Sequence, residues 1–331
     1  MRFLCGMNRR MLVVLLLSLL WGMFADDSLS AGNRQKIHVT SSLDGTEQPC
    51  YLILPEGFDP AGPPVPLLVS LHTWSGDVEQ RDPSMEREAD QRGWIYLWPH
   101  FRGPNSTPDA CGSEKAQQDI LDAANWVIQR YPIDRRRIYL TGASGGGHMA
   151  MLMAGRYPEK WTAVSAWVGI SDLAAWHARH AGGRYGAMMR ASCGGAPGES
   201  PAVDEQYRDR SPITWMPRAK AVPLDLAAGV HDGHKGSVPI RHTLDAFNLV
   251  AKAQGSPLIP EEEIAQLSRP NGRLAHPQPG DEQEDPSFGR AIYLRRTAGN
   301  ARVTIFEGGH ERIAGATAAW LTRHVKPQAG D

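Results

Sequence analysis

Net charge is nearly absent from this 331-residue chain, in which 35 Lys and Arg offset 36 Asp and Glu without any long basic run. A chain with no cationic face has no electrostatic footprint for nucleic acid, so no nucleic-acid partner is expected. Cysteine is scarce, at 4 residues, and no H-E-x-x-H pair occurs, so the usual zinc signatures are missing. His231-Asp232-Gly233-His234 offers metal-ligating side chains, as do His177 and His180. Their spacing specifies no site, and neither a metal nor a cofactor is expected. Long hydrophobic runs are missing too: the apolar stretch Met11 to Leu20 is short for a membrane span. No internal repeat or long low-complexity tract is present. What remains is a chain with 41% hydrophobic residues, long enough to bury a substantial core as a single α/β domain.

The short apolar stretch has a use of its own. Arg2, Arg9 and Arg10 precede it, and small Ala25 stands before Asp26 and Asp27, which is the order of a secretory signal. The expected organisation is a signal over residues 1–25 and one catalytic domain over residues 26–331, secreted or periplasmic, with no stable membrane association after cleavage; an uncleaved anchor is the alternative. Cys50, Cys111 and Cys193 remain. Cys50 falls in the strand-like run Cys50 to Leu54 and reads as a small buried hydrophobe. Cys111 and Cys193 fall in the Gly-rich "DACGS" and "SCGGAPG", so an oxidising compartment makes them the expected disulfide.

Strand-like runs recur at Ile37 to Ser41, Cys50 to Leu54, Pro66 to Leu71, Trp94 to Trp98, Arg137 to Thr141, Thr162 to Val168, Val222 to Ala228 and Arg302 to Phe306. Helical periodicity appears at Gln117 to Arg130, His148 to Arg156, Ile240 to Ala253 and Ile313 to His324. Two hairpin-like strands followed by alternating β and α predict a mostly parallel sheet with helices on both faces. Two stretches leave this alternation. Residues 171–221 read as a cap over the active site, and residues 254–300 as a surface insertion with a hairpin strand through Ala291 to Arg296.

The chemistry starts at "RIYLTGASGGGHMAM". Glycine costs a helix about 1 kcal/mol relative to alanine, yet Gly145, Gly146 and Gly147 stand where a helix begins. Gly142-Ala143-Ser144-Gly145-Gly146 fits the G-x-S-x-G elbow, in which a strand turns sharply into a helix and the serine takes a strained conformation at the bend. A serine hydroxyl needs a base, and the base needs an orienting acid. In a parallel sheet such groups lie beyond the carboxyl ends of strands. His310 in "FEGGHERI" follows the last strand, and Asp232 in "AAGVHDGHKGSVP" follows the penultimate one. Asp172, after the strand that follows the elbow, is the alternative acid, or else a helix N-cap. An oxyanion would be met by the Gly145 N–H and by Thr73 or Trp74 in "LLVSLHTWSGD". Trp74, Phe101, Trp167 and Trp176 are the aromatic residues expected near the mouth as substrate-binding groups.

On these residues the chain resembles an α/β-hydrolase. "YLTGASGGGHMAMLMA" is similar to the elbow of secreted esterases of the polyhydroxybutyrate depolymerase and feruloyl esterase group, whose pattern is G-x-S-x-G-G-x-M. Asp232, Val238-Pro239 and His310 match the acid loop and histidine of the prolyl-oligopeptidase-like catalytic domain. The chain departs from both in a longer loop between Asp232 and Val238. The resemblance implies an α/β-hydrolase fold with a cap or insertion, and a serine hydrolase that cleaves a carboxylic ester or an amide through an acyl-enzyme. The secretory route and the aromatic residues expected near the mouth favour a small-molecule or polymeric ester, either polysaccharide-linked or polyester. The residues before the elbow strand read as hydrolase elements rather than as an added domain, which favours esters over peptides. A prolyl-oligopeptidase-like peptidase and an inactive binding domain of the same fold are the alternatives.

Overall fold

The computed structural model describes residues 34–327; the expected signal over residues 1–25 lies outside them. Nine strands form one sheet: β1 (Arg34–Thr40), β2 (Glu47–Ile53), β3 (Val65–Leu71), β4 (Ile95–Pro99), β5 (Ile133–Ala143), β6 (Ala163–Trp167), β7 (Leu224–Gly229), β8 (Ile292–Ala298) and β9 (Ala301–Phe306). Their spatial order is β1-β2-β4-β3-β5-β6-β7-β9-β8. From β4 to β9 the neighbours run parallel; β1, β2 and β8 are antiparallel additions at the two edges. The sequence foretells this division. Central β3, β4, β6, β7 and β9 are runs of buried residues, as a strand covered on both faces requires. Edge β1 has one buried residue, Val39, and is otherwise exposed or partly covered.

The helices are α1 (Pro83–Gln91), α2 (Glu114–Arg130), α3 (Gly145–Arg156), α4 (Leu173–His180), α5 (Arg184–Cys193), α6 (Pro201–Arg210), α7 (Pro212–Trp215), α8 (Arg241–Ala253), α9 (Glu261–Leu267) and α10 (Ala314–Leu321). This is the expected α/β-hydrolase arrangement. Helices α4 to α7 and a 3-10 helix over Met216–Ala221 fall in the 171–221 excursion, and α9 with β8 falls in the 254–300 excursion. No helix among the described residues is long and apolar enough to cross a membrane.

Helix α1 was not foreseen, although its start is written in "RDPSMER". The Asp82 carboxylate accepts the Met85 N–H at 3.1 Å, and Pro83 opens the helix. Such a cap is worth about 1 kcal/mol, and proline at the first helical position gives up an N–H that would be unpaired anyway. The helix buries Met85 and Ala89, which holds the residues before it beside the end of β3.

Candidate active site

Ser144 stands between β5 and α3 with φ 58° and ψ −119°. A left-handed φ on a residue with a Cβ is strained, and strain of this kind costs of order 1–3 kcal/mol. Flanking contacts hold it: the Ser144 N–H donates to the Trp167 carbonyl at 2.9 Å, and the His148 N–H donates to the Ser144 carbonyl at 2.8 Å. The glycines serve close approach. A Cβ at Gly146 would lie 2.3 Å from the Leu71 carbonyl oxygen, and one at Gly145 would lie 2.3 Å from the Trp74 nitrogen. Only glycine lets α3 begin against the end of β3.

His310 and one of the two candidate acids, Asp232, are in contact. The His310 Nδ1–H donates to Asp232 Oδ2 at 2.7 Å. The other carboxylate oxygen accepts the Gly233 N–H at 2.9 Å and the Val238 N–H at 3.1 Å. The long loop from Asp232 to Val238 therefore folds back onto the carboxylate it departs from. Asp232 is buried, so its partners fix its direction. With Nδ1 donating, Nε2 of His310 is left with a lone pair. Ser144 and His310 line one cavity of about 420 Å³ and form no hydrogen bond to each other among the described residues. Such contacts are often loose before substrate arrives.

Asp172 lies elsewhere. Its carboxylate accepts the Ala174 and Ala175 N–H groups at 2.9 and 3.0 Å, the N-cap role weighed against the acid role.

The three oxyanion candidates divide. Thr73 gives both its N–H and its hydroxyl to Gln80 Oε1, at 2.9 and 3.0 Å, so its N–H is spent. The N–H groups of Trp74 and Gly145 have no hydrogen-bond partner among the described residues, and the two backbones are in contact. Two adjacent unspent N–H groups are what an oxyanion requires.

The aromatic candidates divide as well. Trp74 lines the cavity. Trp176 stands behind it, edge-on at 4.7 Å, with its indole N–H on the Ser237 carbonyl at 2.9 Å. Phe101 is fully buried and stacks on His72 at 3.7 Å. Trp167 is fully buried against Phe288 and Phe306, and gives its indole N–H to Ser165 Oγ at 2.9 Å. Phe101, Trp167 and Trp176 are packing residues here rather than a mouth.

The wall contains groups that the sequence reading missed. Tyr185, from α5 in the cap, supplies an aromatic face, and Gln80, Arg81, Asp82 and Ser84 form a polar side. Arg312 donates to Thr141 Oγ1 at 3.1 Å and pairs with Asp82. Burial pushes its pKa down to about 10, which leaves it charged at neutral pH. The signal available for the polar side was the Asp82-Pro83 helix start, which places these residues at the end of β3.

Cys111 and Cys193 are brought together but are not bonded. Both are free, buried thiols within hydrogen-bonding reach of each other. Cys50 is a third buried thiol, whose pKa burial pushes up to about 12. The histidines that raised a metal are held by protein groups: His231 by Glu307 at 2.7 Å, His234 by the Ser268 carbonyl at 2.9 Å, His180 by the Ser237 carbonyl at 2.8 Å. His177 lies against Arg190 and the Tyr207 ring.

Known proteins match the chain in pieces. An acetylxylan esterase of Coprinopsis cinerea is 29% identical over 116 residues, covering 32% of this chain and 31% of its own. A feruloyl esterase B of Talaromyces stipitatus is 25% identical over 179 residues, covering 51% and 43%. The rat acylamino-acid-releasing enzyme is 28% identical over 183 residues, covering 50% and 23%. The chain thus matches less than half the length of each of these relatives. Among solved structures, Pyrococcus horikoshii acylaminoacyl peptidase superposes with a TM-score of 0.58 at 18% identity, over 88% of this chain and 40% of its own. A puromycin-hydrolyzing peptidase of Mycobacterium tuberculosis gives 0.59 at 17% identity, over 87% and 38%. At such identities the likeness is one of fold. The family model of the prolyl oligopeptidase family matches residues 89–259, more than half of the chain and inclusive of both the elbow and the acid loop, and on that extent the chain belongs to the prolyl oligopeptidase family.

Proposed function

We propose that the protein is a serine hydrolase that cleaves carboxylic esters on a polyhydroxylated substrate through an acyl-enzyme. The observation that carries this reading is the convergence on one cavity of a strained serine and a carboxylate-oriented histidine, beside the unspent N–H groups of Trp74 and Gly145. Ser144 Oγ attacks the acyl carbon while His310 Nε2 takes the hydroxyl proton. The carbonyl oxygen, now negative, receives the N–H groups of Gly145 and Trp74. Collapse breaks the bond to the alcohol, which leaves with the proton held by His310. Water then attacks the acyl-enzyme, again giving its proton to His310, and the acid departs as Ser144 recovers a proton. Asp232 holds the ring in the required tautomer and stabilises the imidazolium that forms.

The wall favours a polysaccharide ester over a polyester. The Gln80 amide N–H group and the Ser84 hydroxyl have no partner among the described residues and offer hydrogen bonds to a hydroxylated leaving group, which an aliphatic polyester could not use. Tyr185 and Trp74 supply faces on which a sugar or aryl ring can rest. The acetylxylan and feruloyl esterases among the relatives support the same choice. The Arg-flanked apolar run Met11 to Leu20 supports export of the enzyme. In an oxidising compartment the neighbouring Cys111 and Cys193 would lose two protons and two electrons to a disulfide oxidant and join.

Peptide hydrolysis is the second reading, favoured by the acylaminoacyl peptidase likeness. One comparison separates them: kcat/KM for acetylated xylan and a feruloyl sugar ester against that for a proline anilide, on the same purified protein. Esters are expected to exceed the anilide by several orders of magnitude. Efficient anilide cleavage with trace esterase turnover would replace this reading with the second.

A further inference from the structure

A cavity of about 550 Å³ lies between α4 and α8 and shares no lining residue with the cavity at Ser144. Much of its wall is apolar, from Ala175, Ile213, Pro239, Leu249 and Leu258. One buried polar group opens into it. His242 is 7% exposed, and its Nδ1 accepts from the Ser171 N–H, the Ser171 hydroxyl and the Asp172 N–H, each at 3.3 Å. A nitrogen that accepts from these groups carries no proton, so the ring's proton sits on Nε2. That Nε2–H has no partner among the described residues, and its ring lines the cavity. Burial pushes the His242 pKa down to about 4, so the ring stays a neutral donor.

Charged groups at the rim are spoken for, with one exception. Arg179 donates to the Gly233 carbonyl and Arg241 to Glu261. Asp245 lies 3.7 Å from Arg241, and Asp172 caps α4. Lys252 has no carboxylate partner among the described residues. His242 and Lys252 both line the cavity from α8, and at 1.5 Å per residue they are about 15 Å apart along the axis. A lysine side chain closes about a third of that span.

We propose that this cavity binds a flat aryl acid whose carboxylate meets Lys252 and whose opposite end carries an oxygen that accepts from His242. The apolar wall would cover the ring, and two polar ends nearly three turns apart on α8 call for an elongated aryl acid of the hydroxycinnamate kind. A largely apolar cavity with a few convergent polar groups is the general form of a small-molecule site. The site touches the loop of Asp232 through Arg179 and Pro239 but does not depend on the acyl-transfer reading.

The test needs no turnover. 4-Hydroxycinnamate is titrated calorimetrically into the full chain, and the His242 Nε2 signal is followed by nitrogen-15 NMR. One-site binding is expected, with a shift of the His242 signal and the same affinity in Ser144→Ala. Lys252→Glu and Leu258→Asp, both at the exposed rim where folding is not at stake, should each weaken binding about tenfold or more. Cinnamate, which leaves the His242 N–H unpaired, should bind several-fold more weakly. Absence of binding, binding indifferent to both rim variants, or a shift confined to His310 would overturn the proposal.

Discussion

The two cavities differ in a way that separates chemistry from binding. The one between α4 and α8 is larger and mainly apolar; the one at Ser144 is smaller and walled by Gln80, Arg81, Asp82, Ser84 and Arg312. By size and apolarity alone the first would be taken for the active site. Each contains a histidine, but they are held oppositely. His310 gives its Nδ1–H to a buried carboxylate and is left with an accepting Nε2. His242 uses Nδ1 as the acceptor and is left with a donating Nε2–H. A base must present a free lone pair; that of His242 is taken up by the Ser171 and Asp172 N–H groups, whereas Nε2 of His310 has no partner among the described residues and lines the cavity of Ser144. What marks the reactive cavity is the tautomer its neighbours impose, together with a serine at φ 58°.

Removing the two reactive groups should give the largest effect. Ser144→Ala and His310→Ala are each expected to lower ester turnover by about 10³-fold or more, with the double variant little worse than either, because such groups act as a unit. Stopped-assay kcat on protein with an unchanged Tm checks this. If the two losses multiplied, or if His242→Asn abolished turnover instead, the assignment of the cavities would be reversed.

The acids sharpen the same contrast. Asp232→Asn should lower kcat by about 10³–10⁴-fold, because the amide no longer enforces the tautomer. Asp172→Ala should leave kcat within a few-fold and lower stability by about 1 kcal/mol through the lost cap of α4. Urea unfolding beside initial rates reads both, and an exchange of the two outcomes would move the acid to Asp172.

The parts of the site that were legible in the sequence are those fixed by local backbone chemistry. Glycines around Ser144 make sense only at a sharp bend, and the ends of β7 and β9 place Asp232 and His310 without knowledge of packing. The polar wall was not legible because it joins distant segments: Arg312 meets Asp82 across most of the domain. Thr73 was indistinguishable from Trp74 until Gln80, seven positions on, took its N–H. Whether Phe101, Trp167 and Trp176 face solvent or core depends on His72, Phe306 and Ser237, partners that no periodicity reveals. The second cavity exists only because α4 docks beside α8, and the excursion that contains α4 was legible only as a break in the β/α alternation.

A smaller loss is expected from Gly145→Ala. The new Cβ would lie 2.3 Å from the Trp74 nitrogen, so the two N–H groups must part. Losing one oxyanion donor costs about 10²–10³-fold in kcat, with KM for a small ester nearly unchanged. A variant with wild-type kcat would show that Trp74 and Gly145 do not share the oxyanion, and would break the distinction between the cavities at its electrostatic half.

The smallest effect concerns the histidines that do no chemistry, and it tests whether the second cavity is wet. His148, buried beneath the elbow with Nε2 on the Arg210 carbonyl at 2.8 Å, and His242 both have pKa values lowered to about 4 by burial. In the unfolded chain each would titrate near 6.5. Below that value the unfolded state binds protons that the folded state refuses. Stability should therefore be full above about pH 6.5 and fall as the pH drops toward 4, by up to about 1.4 kcal/mol per pH unit for each histidine. His148→Gln keeps a donor near the position of Nε2, and His242→Asn keeps an acceptor near that of Nδ1, so each removes the titration with little loss of contact. Urea midpoints between pH 6.5 and 4.5, above the range where most carboxylates contribute, should flatten by a similar amount in each variant. If His148→Gln flattens the profile and His242→Asn does not, water in the open cavity already solvates a protonated His242, and the two histidines differ in solvent as well as in tautomer. If neither does, burial is not what holds these rings neutral.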